Sequence, residues 1–278
     1  MRKRIFLVLF SLLTGFMGMP ALYAQEIGLQ FYSLRNAFKN DVEGTLSQIQ
    51  KWGITTVEGG ETYGLPLGDF LSLLRKYELE VVSLLLPYEM FRDNPEEAIH
   101  IAKAYGAKYI GCAWIPHREN DFTIREVRHA LEVFNRAGKL ADDDGIQVFY
   151  HPHGYELRPY KTGTLLDYMI SEASDFEFQL DVYWVRHGGQ DPLALLEQYP
   201  DRFILMHMKD MAEGVVGDFS GHSDVRTNVV LGRGQIDIAG LMRKASQLGI
   251  PYVFIEDESP KSMMQIPLSL DYLKSLQK

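Results

Sequence analysis

The 278-residue sequence has only one cysteine, and beyond its first residues it has no concentrated basic segment. Cys112 cannot form a disulfide within the chain, so the fold has to be stabilised by its core. We expect Cys112 itself to be a small buried residue on a strand. The formal net charge is −9. Because phosphate binding requires a concentrated basic surface, we expect no nucleic-acid partner, and a neutral or weakly charged substrate fits better.

The one long apolar run lies at the amino terminus. Residues 1–4 include three basic side chains, residues 5–16 are almost uninterruptedly apolar, and residues 20–24 supply a helix break and a small residue for cleavage. This pattern predicts a secretory signal peptide over residues 1–24 and a periplasmic or secreted protein. Retention as a membrane anchor is the alternative. A lipid anchor is not available, since no cysteine follows the apolar run.

The rest of the chain, residues 25–278, is about as long as one α/β barrel domain. Short β-rich runs alternate with longer amphipathic segments, which is typical of βα units with a parallel sheet. The eight predicted strands cover residues 27–31, 55–58, 81–86, 109–113, 147–151, 176–181, 203–207 and 252–256. The eight predicted helices cover residues 42–52, 67–77, 95–105, 124–143, 162–173, 193–198, 236–248 and 261–276.

Glycines mark the ends of several predicted helices. Gly53, Gly106 and Gly249 each follow the last apolar position of a helix, where a left-handed cap is needed. The strict alternation of strands and helices predicts a closed (β/α)8 TIM barrel, with an open doubly wound sheet as the alternative. The open-sheet alternative lacks its dinucleotide-binding fingerprint, because no third glycine follows Gly232 and Gly234 at the required spacing.

Polar side chains end four consecutive predicted strands. These residues are His151, Asp181, His207 and Glu256. Because the catalytic groups of an α/β barrel lie at the carboxyl ends of its strands, we expect all four at one mouth. Any one of them could be a helix cap or a hydrogen-bonded structural residue. As a set of two imidazoles and two carboxylates, they favour one divalent metal ion such as Mn²⁺, Co²⁺, Zn²⁺ or Fe²⁺.

Several of these segments also carry a family resemblance. The motifs that carry it are QFYSLR (30–35), QLDVYW (179–184), MHMKD (206–210), LGRGQID (231–237) and FIE (254–256). Together they resemble the sugar phosphate isomerase/epimerase family, the xylose-isomerase-like barrels that include inosose dehydratases, tagatose epimerases and hydroxypyruvate isomerases. The resemblance spans nearly all of the chain after residue 24, and it does not specify a substrate.

The resemblance implies a particular ligand set. In that family a Glu, an Asp, a His and a second Glu hold the metal, which implies Asp181, His207 and Glu256 in this chain. The first Glu is absent. The chain is similar to a His-x-His branch in which His151 stands at that position, with His153 and Glu156 as alternatives. An imidazole in place of a carboxylate makes the site less negative, so the bound metal should be a stronger Lewis acid.

The chemistry that the resemblance implies is proton abstraction beside a carbonyl group, through an enediolate whose charge the metal neutralises. Glu256 is the family-like base, and His153 or Glu58 could be its acid partner. Glu58 could equally be a structural residue of a polar layer. Lys209 follows His207 by two positions and therefore points to the same side of the strand. It could hold an oxyanion or pair with a ligand carboxylate.

Substrate contacts are expected around the mouth. The rings of Trp184 and Tyr32 could pack on the C–H face of a sugar, with Arg35 and Glu156 as polar neighbours. For Tyr32, ordinary barrel packing is the alternative. The long glycine-containing connection over residues 211–232 is predicted to be a mobile lid or substrate loop.

Three functions follow as hypotheses. The first is a metal-dependent isomerase or epimerase, and the second is a lyase or dehydratase that uses the same enediolate to expel a β-leaving group. The third is a non-catalytic sugar-binding barrel. Export and the lack of a cation cluster favour an unphosphorylated keto sugar or keto-glycoside as the substrate. The family also suggests a homodimer, whereas a DNA-repair endonuclease would need more metal ligands and a basic face.

Overall fold

The computed structural model describes residues 24–278, so the predicted signal peptide lies outside the described residues except for Ala24. Eight parallel strands close into a barrel in the order β1-β8-β7-β6-β5-β4-β3-β2. The strands are β1 (Glu26–Gln30), β2 (Thr56–Gly59), β3 (Glu80–Leu85), β4 (Tyr109–Cys112), β5 (Gln147–Tyr150), β6 (Glu177–Asp181), β7 (Phe203–Met208) and β8 (Tyr252–Ile255). All eight predicted strands are present, with ends shifted by about one residue.

Closure of the sheet decides between the two predicted architectures. Strand β1 pairs with β8 on one side, where Glu26 lies opposite Tyr252, and with β2 on the other, where Gln30 lies opposite Glu58. A sheet closed in this way has no free edges, which excludes the doubly wound alternative. The chain therefore forms a single-domain (β/α)8 TIM barrel.

Eleven α-helices surround the barrel in the described part of the chain. They are α1 (Arg35–Asn40), α2 (Val42–Lys51), α3 (Leu67–Lys76), α4 (Tyr88–Asp93), α5 (Pro95–Tyr105), α6 (Ile124–Asp142), α7 (Leu165–Glu172), α8 (Val182–His187), α9 (Pro192–Gln198), α10 (Ile238–Leu248) and α11 (Ser262–Leu276). The prediction of one helix per strand was wrong in number, because the short helices α1, α4 and α8 follow β1, β3 and β6. These additional helices lie next to the carboxyl ends of the strands, where they shape the mouth.

Capping residues explain where two helices begin later than predicted. Helix α7 starts at Leu165 rather than residue 162, because Thr164 forms a reciprocal capping box with Asp167. Helix α10 starts at Ile238 rather than residue 236, because the side chain of Asp237 accepts a hydrogen bond from the Gly240 backbone. Local side-chain bonds therefore override the apolar periodicity at these helix starts.

The glycine caps are confirmed. Gly106 and Gly249 follow α5 and α10 with φ angles of 73° and 71°, a conformation that most side chains disfavour. Each donates its backbone N–H to a carbonyl of the last helical turn. These caps end the helices and turn the chain back toward the next strand.

The floor of the barrel interior is apolar. Val82, Phe149, Leu205 and Phe254 pack together at the barrel axis as a cluster separate from the larger core between strands and helices. Gly111 leaves room for the Phe149 ring, since a Cβ at that position would lie only 2.3 Å from the ring. Cys112 is buried at the end of β4, as expected. Among residues 24–278, no helix combines the length and apolarity needed to cross a bilayer.

Candidate metal centre

Side chains two residues apart on a strand point to the same side of the sheet. Polar side chains therefore follow the apolar floor residues along the strands toward the mouth of the barrel. On β7, Leu205 belongs to the floor, His207 lies one step higher, and Lys209 follows just beyond the strand end. On β8, Phe254 and Glu256 follow the same two-residue period. The strands thus place a polar layer directly above a closed apolar base.

Four predicted ligands converge at this level. His151, Asp181 and His207 each offer one ligand atom, and these atoms lie within 4.8 Å of one another. Oδ2 of Asp181 is 3.6 Å from Nε2 of His151 and 3.8 Å from Nδ1 of His207. Oε2 of Glu256 is 2.6 Å from the same Nδ1. His151 and Glu256 each follow the last residue of their strand by one position, rather than ending the strand as predicted.

The donor atoms of this cluster fit a divalent ion. Within the described part of the chain, Nε2 of His151 and Oδ2 of Asp181 are buried atoms without a hydrogen-bond partner, and Nδ1 of His207 faces only the carboxylate oxygens of Asp181 and Glu256. Each unsatisfied buried polar group costs roughly 1–3 kcal/mol, so two of them beside the His207–Glu256 contact indicate room for an ion. Imidazole nitrogens mixed with carboxylate oxygens are typical of sites for Mn²⁺, Fe²⁺, Co²⁺ or Zn²⁺. The cluster could therefore hold one such ion.

Asp181 has a structural role as well. Its Oδ1 atom accepts hydrogen bonds from the backbone N–H groups of Tyr183 at 2.8 Å and Trp184 at 3.0 Å, at the start of helix α8. This N-cap holds the carboxylate so that Oδ2 points toward the imidazoles. The helix cap and the ligand, considered as alternatives for this residue, are compatible because each uses a different oxygen.

Charges around the cluster keep the carboxyl group of Glu256 ionised. Burial alone would raise the pKa of Glu256, but Lys209 and His207 hold it well below its usual value. Burial would likewise lower the pKa of Lys209, and the carboxylates of Glu256 and Glu258 raise it instead. Lys209 thus pairs with the carboxylate of the predicted ligand Glu256, which is one of the two roles expected for this lysine.

A cavity of about 490 Å³ opens directly above the cluster. His151, His207 and Glu256 form part of its wall, and the predicted residues His153, Trp184 and Tyr32 also line it. Tyr32 is 49% exposed, so its ring is accessible to a ligand rather than packed inside the barrel. The cluster of predicted ligands and the predicted sugar-binding rings therefore share one cavity.

His153 is placed where it could transfer a proton. Its ring lies 4.8 Å from that of His151 and 4.9 Å from that of Trp184, measured between centroids. Its Nδ1 atom is buried without a hydrogen-bond partner in the described residues. Burial, His151 and Lys209 together lower the pKa of His153 well below its usual value. The neutral form of the imidazole is therefore favoured, in which one ring nitrogen can donate and the other can accept a hydrogen bond.

Glu58 does not reach the cavity. Its side chain is completely buried below the predicted ligands, and it is absent from the residues that line the cavity in the described chain. It accepts a hydrogen bond from Ser83 at 2.6 Å and another from His207. Of its two predicted roles, the position supports a structural residue and not an acid that touches substrate.

Arg35 and Glu156 also lie outside the cavity lining. The guanidinium of Arg35 stacks 4.2 Å over the Tyr32 ring and lies 3.6 Å from Glu258. Glu156 is buried behind the His-x-His segment, where it accepts hydrogen bonds from Tyr150 and from the His153 backbone. The chain turns away from the mouth at Gly154, so neither the alternative ligand role nor a direct substrate contact of Glu156 fits its position.

Sequence reasoning missed several residues of the cavity wall, among them Glu258, Trp114 and His222. Glu258 pairs with Lys209, and it could have been found because it follows Glu256 by two positions, as Lys209 follows His207. Trp114 and His222 lie with ring centroids 5.3 Å apart. They come from separate loops, and no periodic pattern marks side chains that meet in this way.

The predicted lid segment is packed over the mouth. It is closed at its base by a two-stranded pairing of Asp210–Met211 with Asn228–Val229. Farther along, Arg158 donates to the carbonyl of Phe219 at 3.1 Å, and Gly221 lies against Trp114. The segment therefore has defined contacts with the barrel at both its base and its tip.

Comparison with known proteins identifies the family. Residues 46–276 match the family described as Xylose isomerase-like TIM barrel. The chain belongs to this family. A sugar phosphate isomerase/epimerase from Parabacteroides distasonis is similar in structure, with a TM-score of 0.74 and 25% identity over 94% of this chain and 98% of that one. The IolI protein with a bound zinc atom shares the fold, with a TM-score of 0.68 and 13% identity over 91% and 98% of the two chains.

Among curated proteins, the inosose dehydratase of Geobacillus kaustophilus is 24% identical over 195 residues. The alignment covers 62% of this chain and 62% of that enzyme, so the chain spans less than two thirds of its relative's length. These relatives are a dehydratase and an isomerase/epimerase by name, which makes the family one of enzymes.

Proposed function

We propose that this protein is an exported, divalent-metal-dependent isomerase or epimerase of an unphosphorylated keto sugar or keto-glycoside. One observation carries the proposal: the donor atoms of His151, Asp181, His207 and Glu256 converge, and all of these residues except Asp181 line one cavity together with the imidazole of His153. A metal-binding wall beside a group that can take up a proton suits proton abstraction next to a carbonyl.

The charge of the cavity wall supports a substrate without phosphate. Among the described residues that line the cavity, none is lysine or arginine, whereas Glu61, Glu256 and Glu258 are acidic. Lys209 is completely buried between Glu256 and Glu258, so its charge is already compensated. A phosphate group would meet net negative charge here, while hydroxyl groups could bond to the same carboxylates.

Each residue has a defined task in this proposal. A bound divalent ion would supply Lewis acidity to the substrate carbonyl. Glu256, kept ionised by Lys209 and His207, accepts the proton from the neighbouring carbon. His153 exchanges a second proton from the side of Trp184, while the rings of Trp184 and Tyr32 cover the apolar face of the sugar.

A lyase or dehydratase is the second candidate. The similarity to an inosose dehydratase favours it. Its first half-reaction is the same proton removal, and His153 would then deliver a proton to the leaving oxygen instead of to carbon. The two candidates therefore differ in the fate of the proton and not in the residues of the cavity.

Solvent deuterium exchange tests the proposal. The metal-loaded protein is incubated in D₂O with keto sugars and keto-glycosides, and products are followed by NMR and mass spectrometry. We expect deuterium at the carbon beside the carbonyl, with an epimer or isomer as the product, and loss of exchange in Glu256→Gln. An unsaturated product with release of an alcohol or water would select the lyase.

Phosphorylated substrates serve as the matched control. Each keto sugar is compared with its phosphate ester under the same conditions, and we expect the ester to react more slowly. Faster turnover of the esters would contradict the substrate class proposed here. Binding of sugars without metal, and without exchange at any carbon, would instead indicate a non-catalytic sugar-binding barrel. Export is tested separately, by fractionation of cells that express the full chain.

A further inference from the structure

A buried carboxylate lies directly beneath the two histidines of the cluster. Glu58 comes from β2, which stands opposite β6 in the closed barrel, and its side chain reaches across the interior. Because Glu58 neither lines the cavity nor belongs to the cluster of potential metal ligands, its role has to be exerted through other residues.

The hydrogen bonds of Glu58 connect both imidazoles. One carboxylate oxygen accepts from Nε2 of His207, and the other accepts from Nε2 of Gln179 at 2.8 Å and from Ser83 at 2.6 Å. The amide oxygen of Gln179 in turn lies 2.9 Å from Nδ1 of His151. A continuous chain of bonds therefore runs from His207 through Glu58 and Gln179 to His151.

These hydrogen bonds determine which nitrogen of each imidazole ring is free to bind a metal ion. An ionised carboxylate only accepts hydrogen bonds, so Nε2 of His207 has to donate, and when the ring gives up its other proton to bind a metal ion, the lone pair is at Nδ1. For the same reason Gln179 turns its NH₂ group toward Glu58 and its oxygen toward His151. Nδ1 of His151 then donates, and its lone pair is at Nε2. These two nitrogens both face Oδ2 of Asp181, and Nδ1 of His207 also faces Oε2 of Glu256.

We infer that Glu58 is the positioning residue of the metal centre, fixing the tautomer of His207 directly and that of His151 through Gln179. The inference rests on the metal centre of the proposed function, although not on its substrate. The carboxylate of Glu58 contacts neither metal nor sugar, but it orients the free nitrogens of both His207 and His151 toward the metal site. It also explains why an imidazole suits position 151, since a carboxylate there would have no proton for the Gln179 oxygen.

The substitution Glu58→Gln separates this role from simple packing, because it keeps the shape of the side chain. If the new amide turns its NH₂ toward His207, Nε2 of that ring becomes an acceptor and Nδ1 carries the proton. If it turns its oxygen toward His207, its NH₂ meets the NH₂ of Gln179, which then has to rotate and present NH₂ to His151. In either orientation one imidazole loses its free lone pair for the metal.

Exchanging the two side chains should restore both tautomers. In the double variant Glu58→Gln with Gln179→Glu, the amide oxygen accepts from His207 and the amide NH₂ donates to the new carboxylate. That carboxylate accepts from Nδ1 of His151. The charge and the number of atoms are the same as in the original pair, so only the order of donors and acceptors differs from the single variant.

The measurement is the affinity for Zn²⁺ and Mn²⁺ by competition with a chelator, together with ¹⁵N NMR of the histidine rings in the zinc-loaded protein. We expect Glu58→Gln to weaken binding by about 10- to 100-fold, as outer-shell partners of metal ligands typically do. The double variant should recover most of this loss. Ser83→Ala removes a bond to Glu58 without touching either imidazole, and its affinity should stay close to that of the unmodified protein.

Wild-type affinity in Glu58→Gln, or a double variant no better than the single one, would overturn the inference while the metal centre stands. Should Glu58→Gln fail to fold, the double variant decides, since it has to bind metal nearly as well as the unmodified protein. Metal binding without turnover of any sugar would refute the proposed function alone. An unmodified protein that binds neither ion would refute both.

Discussion

The ammonium group of Lys209 lies 3.5 Å from Oε1 of Glu256, and the lysine side chain is buried. The same group pairs with Glu258, and it lies 5.0 Å and 5.1 Å from the ring centroids of Tyr183 and Trp184. The carboxylate of Glu256 is thereby oriented between His207 and a permanent cation. Lys209 thus compensates the negative charge of Glu256 without the need for a bound ligand at this position.

Removing the positive charge of Lys209 should lower the stability of the fold without lowering the affinity for metal. We expect Lys209→Met to destabilise the fold by about 3–5 kcal/mol, because it leaves the buried carboxylate of Glu256 and the half-buried carboxylate of Glu258 without their partner. Affinity for a divalent cation should be retained or increased, since the site becomes more negative. Chemical unfolding and chelator competition measure the two effects. Lys244→Met, which breaks the more exposed pair with Glu197, is the matched control and should cost less than about 1 kcal/mol. Reduced metal affinity in Lys209→Met would contradict the electrostatic argument.

The metal should stabilise the native protein and depend on His207. At an ion concentration about 1,000 times the dissociation constant, binding should add about 4 kcal/mol to the free energy of unfolding. A chelator should remove this increment, and His207→Ala should abolish it. His222→Ala is the control, because that imidazole lines the same cavity but is exposed and lies in the lid segment. Thermal unfolding with and without Mn²⁺ or Zn²⁺ decides; an equal response in the two variants would argue against the predicted ligand set.

The barrel and the ligand cluster could be predicted because both depend on periodic features. Alternation of strands and helices gives the topology, and the two-residue period of a strand places His207 and Lys209 on one side. Glu156 could not be placed in this way. It follows Gly154, whose φ angle of 89° turns the backbone out of the strand direction, and such a turn has no period. Trp114 and His222 meet only because two irregular loops pack together, and that packing depends on the whole structure.

Buried Glu156 should make stability depend on pH. Burial raises its pKa to about 7, from a usual value of 4.5. Between pH 4.5 and about 7, Glu156 is protonated in the folded protein and ionised in the unfolded chain. The free energy of unfolding is therefore greatest below pH 4.5 and falls as the pH rises through about 7. The shift corresponds to roughly 3 kcal/mol. Glu156→Gln should flatten the dependence of the unfolding free energy between about pH 4.5 and 7. An unchanged slope in that variant would show that another group is responsible.

The tip of the lid segment should be sensitive to a single methyl group. A Cβ atom at Gly221 would lie 2.7 Å from the Tyr155 ring and 3.0 Å from Trp114, so Gly221→Ala should displace the tip from the mouth. Gly214 has a similar φ angle, 78° against 70°, but its Cβ would meet nothing within 4 Å. Gly214→Ala therefore carries the same backbone strain, about 1–2 kcal/mol, without the clash. We expect faster proteolysis of the segment and a higher KM in Gly221→Ala alone, with metal affinity unchanged in both variants. Equal behaviour of the two alanine variants would mean that backbone strain, and not contact with Tyr155 and Trp114, holds the segment in place.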